Sequence, residues 1–520
     1  MKLANITNLF LVAGLMFTST SCSDFLEEYS QDKAKVETWT DLDELLLGDG
    51  HFEPCRFSTD ADSRVIYNNL NILHLMSDEL KENPDTDVDL LSYRSGRFGF
   101  FTWQQDPSTD EDFRIMADDN TYWDNLYDKI NTCNMVLALI DEQPADKEDD
   151  VIGKRRVKGE AYFLRAAYYF ILANLYGKPY APTTASTPAV PIKLTEYIED
   201  KEYVCEPLET VYKQVLSDLE LSIENLEGIS RVSVYHPDVV AAYLLRSRVY
   251  LYMQNWTAAA QDAQEVLKRQ SQLLDLRTVS AGEDAIYRDS PETIFSMGGY
   301  LIAVVFADYR SDWFGTPMYS GYLVSDDMVS LYQGSDLRRT RYIGSSERYR
   351  TRPVFMKVNG QLSAWGSYFG VSDCFLLRTP EAYLTLAEAS AFAGDELTAR
   401  QALETFLATR MESAVTVTES GNALIDLIRN ERAREFLLEG HRWFDLRRYT
   451  VCQPYPWSKT IEHAHNYYDN YGELLYADYY QLMPDDEAYT LPIPRKVREF
   501  QVSIGTNQRP ERAAFKKENN

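Results

Sequence analysis

The chain has 520 residues, a formal net charge of −28, and 45% hydrophobic against 25% charged residues, the balance of a large globular protein. That acidity argues against nucleic acid, because binding phosphates needs a basic stripe, and against charge-driven docking on an anionic membrane. No Ser/Gly/Pro-rich linker divides the middle of the sequence, so one large domain is expected rather than several.

The N-terminus has the order of an export signal. Lys2 precedes the apolar run Leu9 to Phe17, then the small residues Ser19-Thr20-Ser21, then Cys22. A charged start, a short apolar stretch and small residues before a cleavage point read as a secretory signal over 1–21. The run is too short to span a bilayer, which takes about 20 residues. The Ser-Thr-Ser-Cys sequence resembles a bacterial lipobox, departing from it at Ser19, where an aliphatic residue is usual. Cys22 is therefore the expected lipidation site, with 22–35 as a tether and 36–520 as the folded body. Several acyl chains anchor stably where one does not. The acidic stretch Ser23-Asp24-Phe25-Leu26-Glu27-Glu28 resembles a signal for transfer to the outer leaflet.

Past the tether, helical periodicity dominates. A helix is predicted over Tyr122 to Ile140. The next carries Ala161, Leu164, Tyr168, Leu172 and Leu175 at spacings of three and four, one apolar face. Another is predicted over Leu208 to Leu226. Ala161-Tyr162-Phe163, Ala242-Tyr243-Leu244 and Ala382-Tyr383-Leu384 each read as the opening of a long amphipathic helix. The last two superimpose at a constant offset, each meeting a polar turn (Gln254-Asn255, Gly394-Asp395) and then an Ala-rich helix sharing Ala259/Ala399 and Gln261/Gln401. Helix, short turn and helix with small residues at the crossing is the tetratricopeptide pattern. Two stretches, 48–119 and 275–375, are rich in Gly, Pro, Asp, Ser and aromatics without that period, and read as loop insertions with short strands. The predicted fold is mostly α: tetratricopeptide-like helix pairs forming a scaffold with long loop and short-strand insertions.

Chemistry-bearing motifs are sparse. No G-x-S-x-G, H-E-x-x-H, Walker or dinucleotide-binding pattern occurs, so neither a catalytic residue nor a cofactor is expected. Beyond Cys22, five scattered cysteines (Cys55, Cys133, Cys205, Cys374, Cys452) include no C-x-x-C and read mainly as small buried hydrophobes. His463-x-His465 near Asp469 is a weak metal pattern, and no metal site is expected. Glu431, Glu435 and Glu439 stand at four-residue spacing on one predicted helical face. Arg429, Arg432 and Arg434 are interleaved with them, which favours ion pairs over catalysis, with Gly440 as the cap.

Three segments carry a family resemblance. Val157-Lys158-Gly159-Glu160-Ala161-Tyr162-Phe163-Leu164-Arg165-Ala166, running on to Tyr176-Gly177, is the first. The second begins at Leu427-Ile428-Arg429-Asn430-Glu431-Arg432 and continues through Phe436-Leu437-Leu438-Glu439-Gly440-His441-Arg442-Trp443-Phe444-Asp445-Leu446-Arg447-Arg448. The third is Leu491-Pro492-Ile493-Pro494 followed by Asn507-Gln508. The sequence resembles the SusD/RagB family of outer-membrane lipoproteins. It departs at the end, where the family runs on to Asn-Pro-Gly-Tyr and this chain has Arg509-Pro510-Glu511.

The resemblance implies a surface glycan-binding protein on a SusC-like TonB-dependent transporter, with a helical scaffold facing the transporter and inserted loops forming the binding surface. Sugar recognition needs flat aromatic faces and planar polar groups, and the chain has 36 Tyr and 8 Trp; Tyr and Trp suit wet surfaces because each has an apolar body and a polar tip. The densest loop cluster is Tyr300, Phe306, Tyr309, Trp313, Phe314, Tyr319 and Tyr322; a second is Phe98, Phe100, Phe101 and Trp103. Carried from the family, Trp103, Tyr309, Trp313 and Tyr319 are the expected ligand-binding residues, with Asp78 and Arg94 as hydroxyl partners. Trp123 and Trp443, in helical signatures, are expected in the core. Two other functions fit the same residues: a peptide- or protein-binding member of the family, and a surface glycoside hydrolase.

Overall fold

The computed structural model describes residues 36–52, 71–85, 94–115, 121–281, 283–297, 306, 309–310, 317–318, 320–345, 351–357, 375–469 and 472–519. Cys22, Cys55, Trp313, Tyr319 and Cys374 lie outside them. Cys133, Cys205 and Cys452 are free thiols, the first and last buried.

The scaffold is a file of antiparallel helices, each packed on the next. Helix α1 (Trp39–Asp49) is followed by the short α2 (Ile72–Met76), strand β1 (Leu80–Glu82) and the single turn α3 (Phe98–Phe101). Then α4 (Thr121–Leu139), α5 (Glu148–Tyr176), α6 (Leu208–Leu226), α7 (Val239–Tyr252) and α8 (Trp256–Arg269) pack in sequence. The file resumes with α8 against α11 (Thr379–Phe392), which also carries α12 (Glu396–Leu407) and α13 (Gly421–Glu435). Between α8 and α11 lie β2 (Thr293–Ser296), β3 (Tyr309–Arg310), β4 (Pro317–Met318), β5 (Tyr322–Val324), α9 (Asp326–Leu331), α10 (Arg338–Arg341), β6 (Ile343–Ser345), β7 (Pro353–Phe355) and β8 (Leu376–Arg378). The chain closes with α14 (Arg442–Tyr449), the hairpin β9 (Ile461–Tyr468) and β10 (Leu474–Leu482), α15 (Arg495–Phe500) and β11 (Lys516–Asn519). The fold is mostly α, and no helix among the described residues is long and apolar enough to cross a membrane.

The repeat seen in sequence has a physical basis. At the α7–α8 turn Gln254 adopts φ 59°, and at the α11–α12 turn Gly394 adopts φ 87°. The next residue then caps the new helix: Asn255 accepts from Ala258 N at 3.3 Å and Asp395 from Thr398 N at 3.1 Å, satisfying one of the orphan donors of the first turn. Ala259 and Ala399 are fully buried at the crossings, while Gln261 and Gln401 face solvent. Gly159 does similar work between α5 and α6. A Cβ there would lie 2.6 Å from the Leu226 side chain, and Ser222 Oγ donates to its carbonyl at 2.8 Å across the close approach.

Two helical expectations need correction. Ala161 does not open its helix, which begins at Glu148 with Glu148, Asp149 and Asp150 in its first turn. Those carboxylates suit the positive end of the helix dipole but carry no apolar period, so the start was invisible to pattern. From Gly159 onward α5 is buried on nearly every side rather than along one stripe. Glu439 does not continue the face of Glu431 and Glu435: α13 stops at Glu435, with Phe436 as the cap. The chain then turns through Leu438 (φ 54°) and Gly440 (φ 80°), so Gly440 serves that turn and not the helix end.

Trp123 and Trp443 are buried in the main core. A second core joins the insertions to the segment after α13: Leu75, Leu80, Phe101, Phe306, Tyr322 and Val324 pack with Leu437 and Leu438. Beneath it lies a closed ion-pair network. Glu435 accepts from Arg410 Nε at 2.9 Å and pairs with Arg378 Nη1 at 2.9 Å; Glu292 takes Arg410 and Arg378 at 2.7 and 2.9 Å; Glu439 takes Arg378 and Lys357. Charges this deep are tolerable only when each is paired and hydrogen-bonded.

Candidate functional site

The hairpin β9–β10 carries a row of rings that runs from the core to the surface beside the first insertion. On β9, His463 and His465 point inward with Ile461, opposite Tyr480, Asp478 and Leu482 of β10. Beyond the core this face carries on as Tyr467 and Tyr476, a cross-strand pair whose rings stack at 4.6 Å and 19°. His465 meets Tyr467 edge-on at 4.8 Å, Phe98 packs on His465 at 4.8 Å, and Phe113 packs on Phe98 at 5.4 Å. The row is thus continuous from Phe113, 58% exposed with φ 60°, to the half-buried Tyr476. A bulky residue in the left-handed region is costly. Asp110 supports the turn by accepting from Asp112 N and Arg114 N through Oδ1 at 3.0 and 2.9 Å.

Polar groups line this row. His465 sits between two carboxylates, Nδ1 2.8 Å from Glu82 Oε1 and Nε2 3.1 Å from Glu111 Oε2. Burial disfavours the imidazolium, but Glu82 and Glu111 outweigh it and raise the pKa. Burial likewise opposes charge on Glu82, yet Arg94, His465 and the backbone N–H of Asn466 bring its carboxyl down to about 2. Arg94 donates from Nη1 to Tyr468 Oη at 3.0 Å and lies 5.0 Å over that ring. The exposed ring of Phe113 and the half-buried Tyr467 and Tyr476 offer the apolar faces that suit the C–H side of a sugar ring.

The sequence-predicted residues fare unevenly. Trp103 is not a platform: it is wholly buried, donates from Nε1 to Met76 O at 2.9 Å and stacks on His463. Phe98, Phe100, Phe101, Phe306 and Tyr322 are buried too. Loop aromatics beside small domains of their own must fill a local core first, and these do. Asp78 is no free hydroxyl partner either, since Arg442 donates to it at 2.7 and 2.8 Å and Lys459 at 2.9 Å. Arg94 is buried and paired with Glu82. Tyr309 is placed in β3, paired with Met318. Phe113, Tyr467 and Tyr476 were not singled out in sequence, although the tyrosine-dense run Asn466-Tyr467-Tyr468-Asp469-Asn470-Tyr471 was a signal for them.

The histidine pair and the three glutamates singled out in sequence are each held by other protein groups. His463 has both ring nitrogens against carbonyl oxygens, those of Phe101 and Ser77 at 2.6 and 2.9 Å, and His465 is held as above. Asp43, Glu160 and His236 have metal-like spacing, but Arg156 Nη1 already lies among them at 3.0, 2.8 and 2.9 Å. Glu431 is taken by Arg338 and Arg434, and Glu435 and Glu439 by the buried network.

The architecture is a file of packed helices carrying loop and short-strand insertions, closed by a C-terminal hairpin. Residues 61–251 match a SusD-like family model described as starch-binding associating with outer membrane, and 302–504 match the SusD family model. The chain belongs to the SusD/RagB family. A SusD superfamily protein from Bacteroides thetaiotaomicron superposes with a TM-score of 0.68 at 20% identity, covering 91% of this chain and 100% of its own. A SusD-like carbohydrate binding protein from Bacteroides vulgatus gives 0.66 at 18%, covering 90% and 97%. Surface glycan-binding protein A from Bacteroides fluxus gives 0.62 at 18%, covering 92% and 100%. At such identities the likeness shows the fold. No curated protein matches the chain.

Proposed function

We propose that this chain is a cell-surface lipoprotein, anchored through Cys22, that captures an oligosaccharide or polysaccharide and delivers it to a SusC-like TonB-dependent outer-membrane transporter, with no catalytic step of its own. The observation that carries the reading is the row of rings whose two ends, Phe113 and the stacked Tyr467–Tyr476 pair, reach the surface on either side of the buried Phe98 and His465, on a chain whose relatives include a glycan-binding protein. Tyr309, Trp313 and Tyr319 of the second insertion are proposed to complete the platform. The committed state of Glu431, Glu435 and Glu439 supports binding without cleavage. The test is to run the pure protein through gels containing a panel of polysaccharides and assay the same mixtures for new reducing ends. Retention without new ends is expected. New reducing ends make it a hydrolase, and no retention with capture of peptides instead makes it a peptide receptor.

A further inference from the structure

A cleft of about 320 Å³ lies between the 105–108 turn, the end of α5 and the segments 491–498 and 506–509. Phe100, Tyr122 and Tyr176 form its apolar side, and Ser108, Gln508 and Arg498 line its polar side. Arg509 also lines it, and its state is unusual. The residue is 3% exposed, and Nε, Nη1 and Nη2 all lack a hydrogen-bond partner among the described residues. Most other buried arginines among the described residues meet carboxylates, Arg378, Arg410, Arg338, Arg432 and Arg448 among them, and Arg447, which meets none, still donates to Gly177 O and Thr490 Oγ1. The carboxylates nearest in charge to Arg509 are spent elsewhere. Asp486 takes Arg512 at 2.7 Å and Ala488 N at 2.8 Å, and Asp106 takes Ser108 N and Oγ. Only the backbone of Arg509 is satisfied, its carbonyl accepting from Gln105 Nε2 at 3.0 Å. Burial and the neighbouring Arg512 push its pKa down to about 9, which still leaves a cation at neutral pH.

A buried, fully unmatched guanidinium in a protein of net charge −28 is a costly arrangement unless something completes it. Its planar fork fits a two-oxygen anion edge-on. We propose that this cleft binds the oxyanion of an acidic sugar, a uronate carboxylate or a sulfate ester, with Arg509 as the forked donor and Phe100 and Tyr122 against the ring. The inference rests on the glycan-binding reading and narrows it to acidic glycans.

The experiment is calorimetric titration of the full mature protein with four probes: trigalacturonate, its methyl ester, a sulfated disaccharide and inorganic sulfate. Trigalacturonate or the sulfated disaccharide should bind at least tenfold tighter than the methyl ester, weakening with salt. Arg509→Gln should abolish that preference, Arg509→Lys should restore it only in part, and Arg509→Gln should raise the thermal transition of the unliganded protein. Equal affinity for acid and ester, or an unaltered preference in Arg509→Gln, overturns the inference while leaving glycan capture standing. Binding of inorganic sulfate only overturns the sugar assignment. Absence of every glycan from the polysaccharide panel, with uronate still titrating at Arg509, overturns the capture reading instead.

Discussion

The indole of Trp103 lies on the imidazole of His463, centroids 4.4 Å apart and planes at 24°, and Phe101 covers the other side of that imidazole at 4.2 Å and 14°. This three-ring stack pins the first insertion to the C-terminal hairpin, and the Trp103 Nε1 bond to Met76 O adds α2 to the same joint. Trp103→Ala should therefore cost about 3 to 5 kcal/mol of stability, the range for emptying a large aromatic site, and lower the chemical-denaturation midpoint. Glycan affinity measured well below that midpoint should change little. A selective loss of affinity at unchanged midpoint would return Trp103 to the binding surface.

Glu82 ties the same hairpin to β1 by accepting from Arg94, His465 and Asn466 N. Its carboxyl is brought from 4.5 down to about 2 in the folded state. A depressed carboxyl contributes stability that is present above the unfolded value and is lost as pH falls through the folded one. The stability gap between wild type and Glu82→Gln should be about 3 kcal/mol at pH 7 and should close between about pH 5 and pH 2. Denaturation at a series of pH values checks it. A gap that is flat across that window would mean that the carboxylate is not held by those partners.

The helical repeat was legible because its determinants are local: a left-handed turn residue, a capping Asn or Asp and a buried Ala recur in register at 254–259 and 394–399. The family signatures were legible for the same reason. The site was less so. Composition marks loop aromatics but not which of them fill a core, and Trp103 and Phe113 differ only in what folds over them. Tyr467 shares strand parity with the buried His463 and His465, so period alone assigns it inward; it is open because the core ends before it does. Arg509 needed coordinates, since the absence of a partner is a property of every neighbouring segment at once.

Cys22 follows a short apolar stretch and three small residues, which is why it is proposed as the lipidated mature N-terminus. Cys22→Ala should move the protein from the membrane fraction to the medium or periplasm, and mass spectrometry of the wild-type N-terminus should find acylated Cys22. A variant that stays membrane-bound would refute anchoring at this residue.

The ring row separates binding from stability by position. Tyr476 closes the stack with Tyr467 from the outside and is half-buried, and Phe113 holds an exposed face on a turn fixed by Asp110. Stacking of this kind is worth about 0.5 to 1.5 kcal/mol beyond burial, and about 1.4 kcal/mol is tenfold in affinity. Tyr476→Ala and Phe113→Ala should each weaken glycan retention by up to about tenfold with little change in the thermal transition. Trp443, buried and stacked on Tyr489 at 5.0 Å, should behave in the opposite way, Trp443→Ala losing about 3 to 5 kcal/mol while the folded fraction keeps its affinity. Affinity gels run beside thermal melts on the three variants distinguish the cases. If Tyr476→Ala and Phe113→Ala both leave retention intact, the aromatic strip is not the capture surface, and the proposed platform at Tyr309, Trp313 and Tyr319 must carry the binding alone.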